Sequence, residues 1–163
     1  MDKIFRKIID SQFSDLVGLT VDASIPVPQY LINEIIEVAL QGNKSIDSCQ
    51  VTIGGQNKVS VNLKTPVWPW PLNLKLRLYR SVELTSSPKV RASLENNVLL
   101  GKLGSFFKAL PDWAHLYEDQ VVVDLGSFLH TPEQKRIVDL IKSVEIRTEE
   151  GKVIFDAKIE VDD

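Results

Sequence analysis

Between Cys49 and Leu94 the chain alternates apolar and polar residues so regularly that few architectures can accommodate it. Cys49, Val51 and Ile53 alternate with Ser48, Gln50 and Thr52, and after Gly54-Gly55-Gln56-Asn57 the residues Val59, Val61 and Leu63 alternate with Lys58, Ser60, Asn62 and Lys64. Two such runs joined by a Gly-Gly turn predict a β-hairpin. Leu72, Leu74, Leu76 and Leu78 then alternate with Asn73, Lys75, Arg77 and Tyr79, and Val90, Ala92 and Leu94 repeat the pattern after Thr85-Ser86-Ser87-Pro88. A period of two places one face against a core and the other in water, which is the behaviour of antiparallel sheets.

The flanking segments have other periods. Ile4, Phe5, Ile8, Ile9, Phe13, Leu16 and Val17 recur at helical spacing opposite Lys3, Arg6, Lys7, Asp10 and Asp15, predicting an amphipathic helix that stops at Gly18. Its stripe suits packing on the core, or docking on a partner or membrane surface. Residues 19–25 read as a strand ended by Pro26-Val27-Pro28. A helix follows from about Pro28 to Gln41, with Gly42 just past its end. Tyr30, Leu31, Ile32, Ile35, Ile36, Val38, Ala39 and Leu40 make it apolar over most of its circumference, which predicts cover on several sides. Further along, Leu103, Phe106, Phe107 and Leu110 predict a helix closed by Pro111, and Val121, Val123 and Leu125 a strand. Thr131-Pro132-Glu133 opens another helix, and Val144 and Ile146 pair with Val153, Phe155, Ala157, Ile159 and Val161 across the turn Glu149-Glu150-Gly151.

With 163 residues, 44% hydrophobic and 25% charged, the chain reads as one domain over residues 1–163. A net charge of −3 gives no electrostatic reason to expect nucleic acid as a partner. The single cysteine, Cys49, excludes an intramolecular disulfide and favours a reducing compartment. Charges interrupt the first ten residues every few positions, so the apolar core of a signal peptide is missing there. Together these features predict a cytoplasmic protein, or one whose leader has been trimmed.

Little in the chain resembles catalytic machinery. His115 and His130 are too few for a histidine-based metal site, and no CxxC, HExxH or acidic metal loop occurs. Gly101-Lys102-Leu103-Gly104-Ser105 lacks phosphate-loop spacing, and Gly126-Ser127-Phe128 is not a nucleophile elbow. Cys49 falls on the apolar register of its strand, where an inert buried thiol is expected. The expectation is therefore a protein that is not an enzyme and takes no metal or cofactor.

Pro66-Val67-Trp68-Pro69-Trp70-Pro71 stands out. Three prolines stiffen an extended backbone that cannot lie within a sheet. Its indoles suit an aromatic lip at a ligand tunnel or membrane interface, but the commoner arrangement is a sheet corner that plugs the end of the core.

The order of these segments is similar to that of the tubular lipid-binding (TULIP-like) superfamily, small bacterial members included. The similarity covers roughly residues 19–161. It includes the apolar helix and alternating strands, the glycine-led stretch Val98-Leu99-Leu100-Gly101-Lys102-Leu103-Gly104-Ser105-Phe106-Phe107-Lys108-Ala109-Leu110-Pro111, the run Val123-Asp124-Leu125-Gly126-Ser127-Phe128-Leu129, and the closing hairpin. The resemblance implies an α+β fold: a curved antiparallel β-sheet wrapped around a long apolar helix, here with an extra N-terminal amphipathic helix (residues 1–17). It implies non-enzymatic binding of a lipid or similar apolar ligand in a groove between helix and sheet. Ile32, Ile35, Ile36 and Ala39 of the helix, Val61, Leu63, Leu74, Leu76, Val90 and Ala92 of the strands, and Trp68 and Trp70 at the mouth would line that groove. Were the core solid instead, the same chain would be a structural or protein-interaction module. Its partner could then be itself, through the first helix or an exposed sheet edge.

Overall fold

Alternation becomes strand wherever it runs. The computed structural model describes residues 18–84, 87–95 and 110–160. Strand β1 (Thr20–Pro28) leads straight into helix α1 (Gln29–Ala39). Strands β2 (Ser48–Ile53), β3 (Lys58–Lys64), β4 (Leu72–Leu78), β5 (Lys89–Leu94), β6 (Ala114–Tyr117) and β7 (Gln120–Asp124) follow. A 3-10 turn (Leu125–Phe128), helix α2 (Pro132–Asp139) and the hairpin β8 (Ile141–Glu149) and β9 (Lys152–Glu160) complete the described chain. Every strand pair is antiparallel: β2-β3-β4-β5-β7-β6 form one sheet and β1-β9-β8 another.

Register carries the period-two pattern across the larger sheet. Val51, Val61 and Leu74 lie side by side, then Ile53, Val59, Leu76 and Leu94, then Leu78, Ala92, Val121 and Leu116. Leu63, Leu72, Leu74, Leu76, Ala92 and Leu94 are buried on this face with Ile46, and Leu40 and Leu110 pack against them. Full burial of one such leucine stabilises the fold by roughly 1.5–3 kcal/mol, so this face dominates the core. The opposite face presents lysines, arginines, serines and asparagines to water.

A second cluster joins the sheets. Ile53 and Ile146, each 1% exposed, meet Val153, with Ile32, Leu78, Val82, Val90 and Phe155 around them. Just past β4 the backbone pairs with β8: Ile146 N–H donates to Arg80 O (2.6 Å) and Val82 N–H to Val144 O (3.0 Å). The β2–β3 turn closes the same junction. Gln56 and Asn57 both take positive φ (58° and 59°), and Lys58 N–H donates to Gly55 O (3.2 Å), which is the two-residue turn that hairpin twist favours. The left-handed residues are thus Gln56 and Asn57 rather than the glycines of the expected Gly-Gly turn.

The wrapped-helix architecture is not what forms. The described chain is mostly antiparallel sheet, with only two short helices. Helix α1 has eleven residues, none of them buried, and lies along the open edge of β2 instead of inside a curved sheet. The physical reason is its polar edge. Asn33 Nδ2 donates to Val51 O (3.0 Å), Val51 N–H donates to Asn33 Oδ1 (2.7 Å) and Ile53 N–H donates to Gln29 Oε1 (2.7 Å). Two amide side chains one helical turn apart therefore replace a neighbouring strand, and this fixes the helix at an edge where one side stays open. The curved sheet around a long apolar helix, which the tubular resemblance implied, is therefore not the fold of this chain: its strands form two antiparallel sheets and its helix lies at an edge.

Two smaller expectations also change. Strand β1 runs through Pro26-Val27-Pro28 instead of ending there. It is an outer strand, and Gln29 N–H points to Gly151 O (2.9 Å) on the β9 side, so the alternate positions Pro26 and Pro28 face the open edge, where a missing donor costs no ladder bond. Strand β6 lacks a counterpart among the sequence expectations. The N-terminal amphipathic helix, the stretch 96–109, Thr85 and Ser86, and Val161 lie outside the described residues. No helix among the described residues is long and apolar enough to cross a membrane.

Candidate functional site

Strand β3 ends at Lys64, and the next residue, Thr65, turns inward (7% exposed) with its Oγ1 accepting from Trp68 N–H (3.2 Å). That bond and Pro66, Pro69 and Pro71 hold the crossing to β4 in one shape. Its side chains face solvent: Val67 is 87% exposed, Trp70 69% and Trp68 42%. Neither indole is buried, so the two do not plug the end of the core. Asp47 N–H donates to Lys64 O (2.8 Å), which stitches the loop after α1 to the root of the tryptophan loop. Gln29 reaches Ile53 and Asn33 reaches Val51, so α1 runs antiparallel to β2 and its C-terminus lies at this same end.

Two shallow depressions open elsewhere, around β6. One, of about 380 Å³, is lined by Lys89, Arg91, His115, Tyr117, Val122 and Asp124 on the polar face of the larger sheet. Its charges are internally matched. Arg91 pairs with Glu83 (2.6 Å), and Asp124 accepts hydrogen bonds from Ser87 Oγ and from Gly126 N–H. The Ser87 hydroxyl is the chief reason the Asp124 carboxyl sits below its ordinary range, with the Gly126 amide and the charge of Lys89 adding to it. The other depression, about 300 Å³, lies along residues 110–112 and β6. His115 borders both and is exposed, as is His130. Among the described residues no three His, Cys, Asp or Glu side chains come together as a metal site. Burial pushes the Cys49 thiol up to about 11, so at neutral pH it is a protonated, poorly nucleophilic group.

The residues expected to line a groove do not converge on one. Leu63, Leu74, Leu76 and Ala92 are buried in the sheet's packed face, with Val61 against them. Ile32 and Val90 belong to the junction cluster. Ile36 and Ala39 are half-buried on α1, whereas Ile35 is 48% exposed on its outer side. None of them borders either depression. Trp68 and Trp70 alone present an accessible surface together. The sequence reading missed His115 and Tyr117 as neighbours of Lys89 and Arg91. The only signal was a four-residue alternation, Ala114 and Leu116 against His115 and Tyr117, too short to stand out.

Comparison of the chain with protein-family models, with curated proteins and with solved structures returns no match.

Proposed function

We propose that this chain is a protein-interaction module that offers the loop of residues 66–71 to a partner protein as a rigid aromatic anchor. The observation that carries the proposal is the exposure of Val67, Trp68 and Trp70 on a loop fixed by three prolines and the Thr65 hydroxyl. Tryptophan is the residue type most enriched among binding hot spots, because one side chain buries a large apolar area and still offers an N–H donor. A loop already rigid loses little conformational entropy on binding, so more of that burial appears as affinity. The surroundings favour a protein over a bilayer. Lys44 and Lys64 near the loop are mixed with Asp47, Asn43 and Ser45, whereas an anionic membrane surface calls for a basic cluster.

A photo-crosslinking residue at position 67 tests this in the intact protein. The expected adduct is a discrete partner protein, which then binds the purified chain. Trp70→Ala should weaken that binding by at least about 2 kcal/mol, the threshold of a hot spot, with the fold unchanged. Adducts to lipid alone, or only to a second copy of the chain, would overturn the proposal.

A further inference from the structure

The outward face of the larger sheet gathers positive charge. Strand register places Lys58 beside Arg77, Ser60 beside Lys75 and Ser48 beside Lys64, and Lys89 and Arg91 on β5 continue the same face. Asp124 is the one carboxylate among the outward positions of β2 to β7, while Glu83 and Glu95 reach in from the rim to Arg91 and Arg77. The whole-chain charge of −3 conceals this face, because a total says nothing of where register collects cations. Three rings share it. Tyr79 and Tyr117 are 39% and 59% exposed, and Gln120 links them: its Nε2 donates to Tyr79 Oη (3.0 Å) and its backbone stands opposite Tyr117. His115 is exposed beside Tyr117, with ring centroids 6.2 Å apart.

We propose that this face binds single-stranded nucleic acid, with bases stacking on Tyr79, His115 and Tyr117 and phosphates meeting Lys58, Lys75 and Arg77. Aromatic side chains set among cations on an open sheet meet both needs of a single strand, since each unpaired base offers a π-face and each phosphate a charge. The depression beside the rings suits a base better than an anion. Its floor is Val122, 3% exposed, and Lys89, Arg91, His115, Tyr117 and Asp124 surround it. At about 380 Å³ it has room for a planar heterocycle. The charges inside it are matched, because Arg91 pairs with Glu83 and Lys89 stands opposite Asp124. A neutral ring therefore enters there, while the phosphates stay on the cations of β3 and β4. An anionic bilayer or a run of acidic side chains supplies the charge without the ring. A duplex keeps its bases in the stack and leaves the three rings unused. The tryptophan loop plays no part in this binding.

Fluorescence anisotropy of the full chain with a labelled, mixed-sequence RNA strand of about twelve nucleotides tests it. The expected result is saturable binding that weakens about fifteenfold between 50 and 200 mM salt, as three phosphate contacts on a single strand require. An abasic strand of the same length keeps the phosphates and removes the rings. It should bind at least about fivefold more weakly, the least that one stacked base contributes. Tyr117→Ala should weaken RNA binding by a similar factor and leave the abasic strand unaffected. Lys58→Glu with Lys75→Glu should abolish binding of both strands. Lys135→Glu with Lys158→Glu, exposed on α2 and β9, changes the total charge equally and should leave RNA binding unchanged. Equal affinity for RNA and the abasic strand would show a face for polyanions in general and overturn the proposal. No binding at 50 mM salt, or equal losses in the two lysine pairs, would overturn it as well. So would competition by polyglutamate or by phosphatidylserine vesicles as effective as that by unlabelled RNA, which would give the face to an acidic protein or a membrane.

Discussion

Asn57 is the residue on which most local constraints meet. Its left-handed φ of 59° is tolerated because its side chain is fully engaged: Oδ1 accepts from Thr148 N–H (3.0 Å), and Nδ2 donates to Ile146 O (3.1 Å) and Leu78 O (3.4 Å). Its own N–H donates to Thr148 Oγ1 (2.8 Å). One turn residue thus ties the β2–β3 hairpin to β8. Asn57→Gly keeps the conformation and removes the bonds, so urea unfolding should show a loss of about 1–3 kcal/mol. Asn57→Ala adds the left-handed penalty and should cost about 1–2 kcal/mol more. Gly126 poses a different constraint: a Cβ there would collide with Ser87 Oγ and meet Asp124 Oδ1 at 3.0 Å. Gly126→Ala should therefore displace the serine hydroxyl and let the Asp124 carboxyl rise toward its ordinary range, which carboxyl NMR titration reads directly. The sign for stability follows from the depressed native value. The Ser87 bond contributes above the unfolded carboxyl's pKa, about 3.9, and its contribution is lost as pH falls through the native value. The stability gap between the wild type and Ser87→Ala should therefore be widest near neutrality and close in acid. The sequence marked position 57 only as part of a turn. Which turn residue takes the left-handed conformation depends on Thr148 and Ile146, about ninety residues away, and no local pattern encodes that.

Among the elements, α1 shows where sequence periodicity stops being informative. The strands were legible because a period of two assigns every side chain to a face, and the observed registers agree for β2, β3, β4 and β5. A helical wheel gives the width of an apolar arc but not what covers it. Ile32 and Ile36 turn inward, whereas Leu31, Ile35 and Val38 on the same arc do not. What positions the helix is its polar edge, where Gln29 and Asn33 act as substitute strand residues for β2. The candidate site was half legible for the same reason. Proline spacing announced a stiff crossing at residues 66–71, but whether its indoles point in or out depends on Thr65 turning inward. The edge function of α1 has a direct test. Asn33→Ala leaves Val51 N–H and C=O without partners on an open strand edge. Amide exchange at Val51 and Ile53 should accelerate relative to the core of β3 and β4, and sedimentation should show association that grows with concentration. Asn33→Asp keeps the acceptor for Val51 N–H but loses the donor to its carbonyl, so its exchange rates should fall between the two.

At the scale of the molecule, the question is whether two sheets with separate strand orders behave as one folding unit. Among the described residues they share no ladder of full strands; they meet through the short pairing of residues 80–82 with β8, the bond from Gly151 N–H to Ile53 O (2.9 Å), the Asn57 bonds, the bonds of α1 to β2 and the Ile53–Ile146–Val153 cluster. Ion pairs do not change that conclusion. Arg147 with Asp156 and Glu149, and Arg80 with Glu145, lie on exposed surface, where each contributes little. Cohesion between the sheets therefore rests on a small apolar joint to which both contribute. Ile146 is the residue to change, because it is 1% exposed, sits on β8 of the smaller sheet and touches β2 of the larger. Ile146→Ala removes buried methyl groups from a site that relaxes only in part, with an expected loss of about 2–5 kcal/mol. If the joint makes the sheets a single cooperative unit, calorimetry should still show one transition, shifted to lower temperature, and slow-exchanging amides of β3 and β9 should lose protection by the same factor. Two resolved transitions, with β9 deprotected and β3 unchanged, would mean that the smaller sheet and α1 unfold by themselves while the β2–β5 core persists.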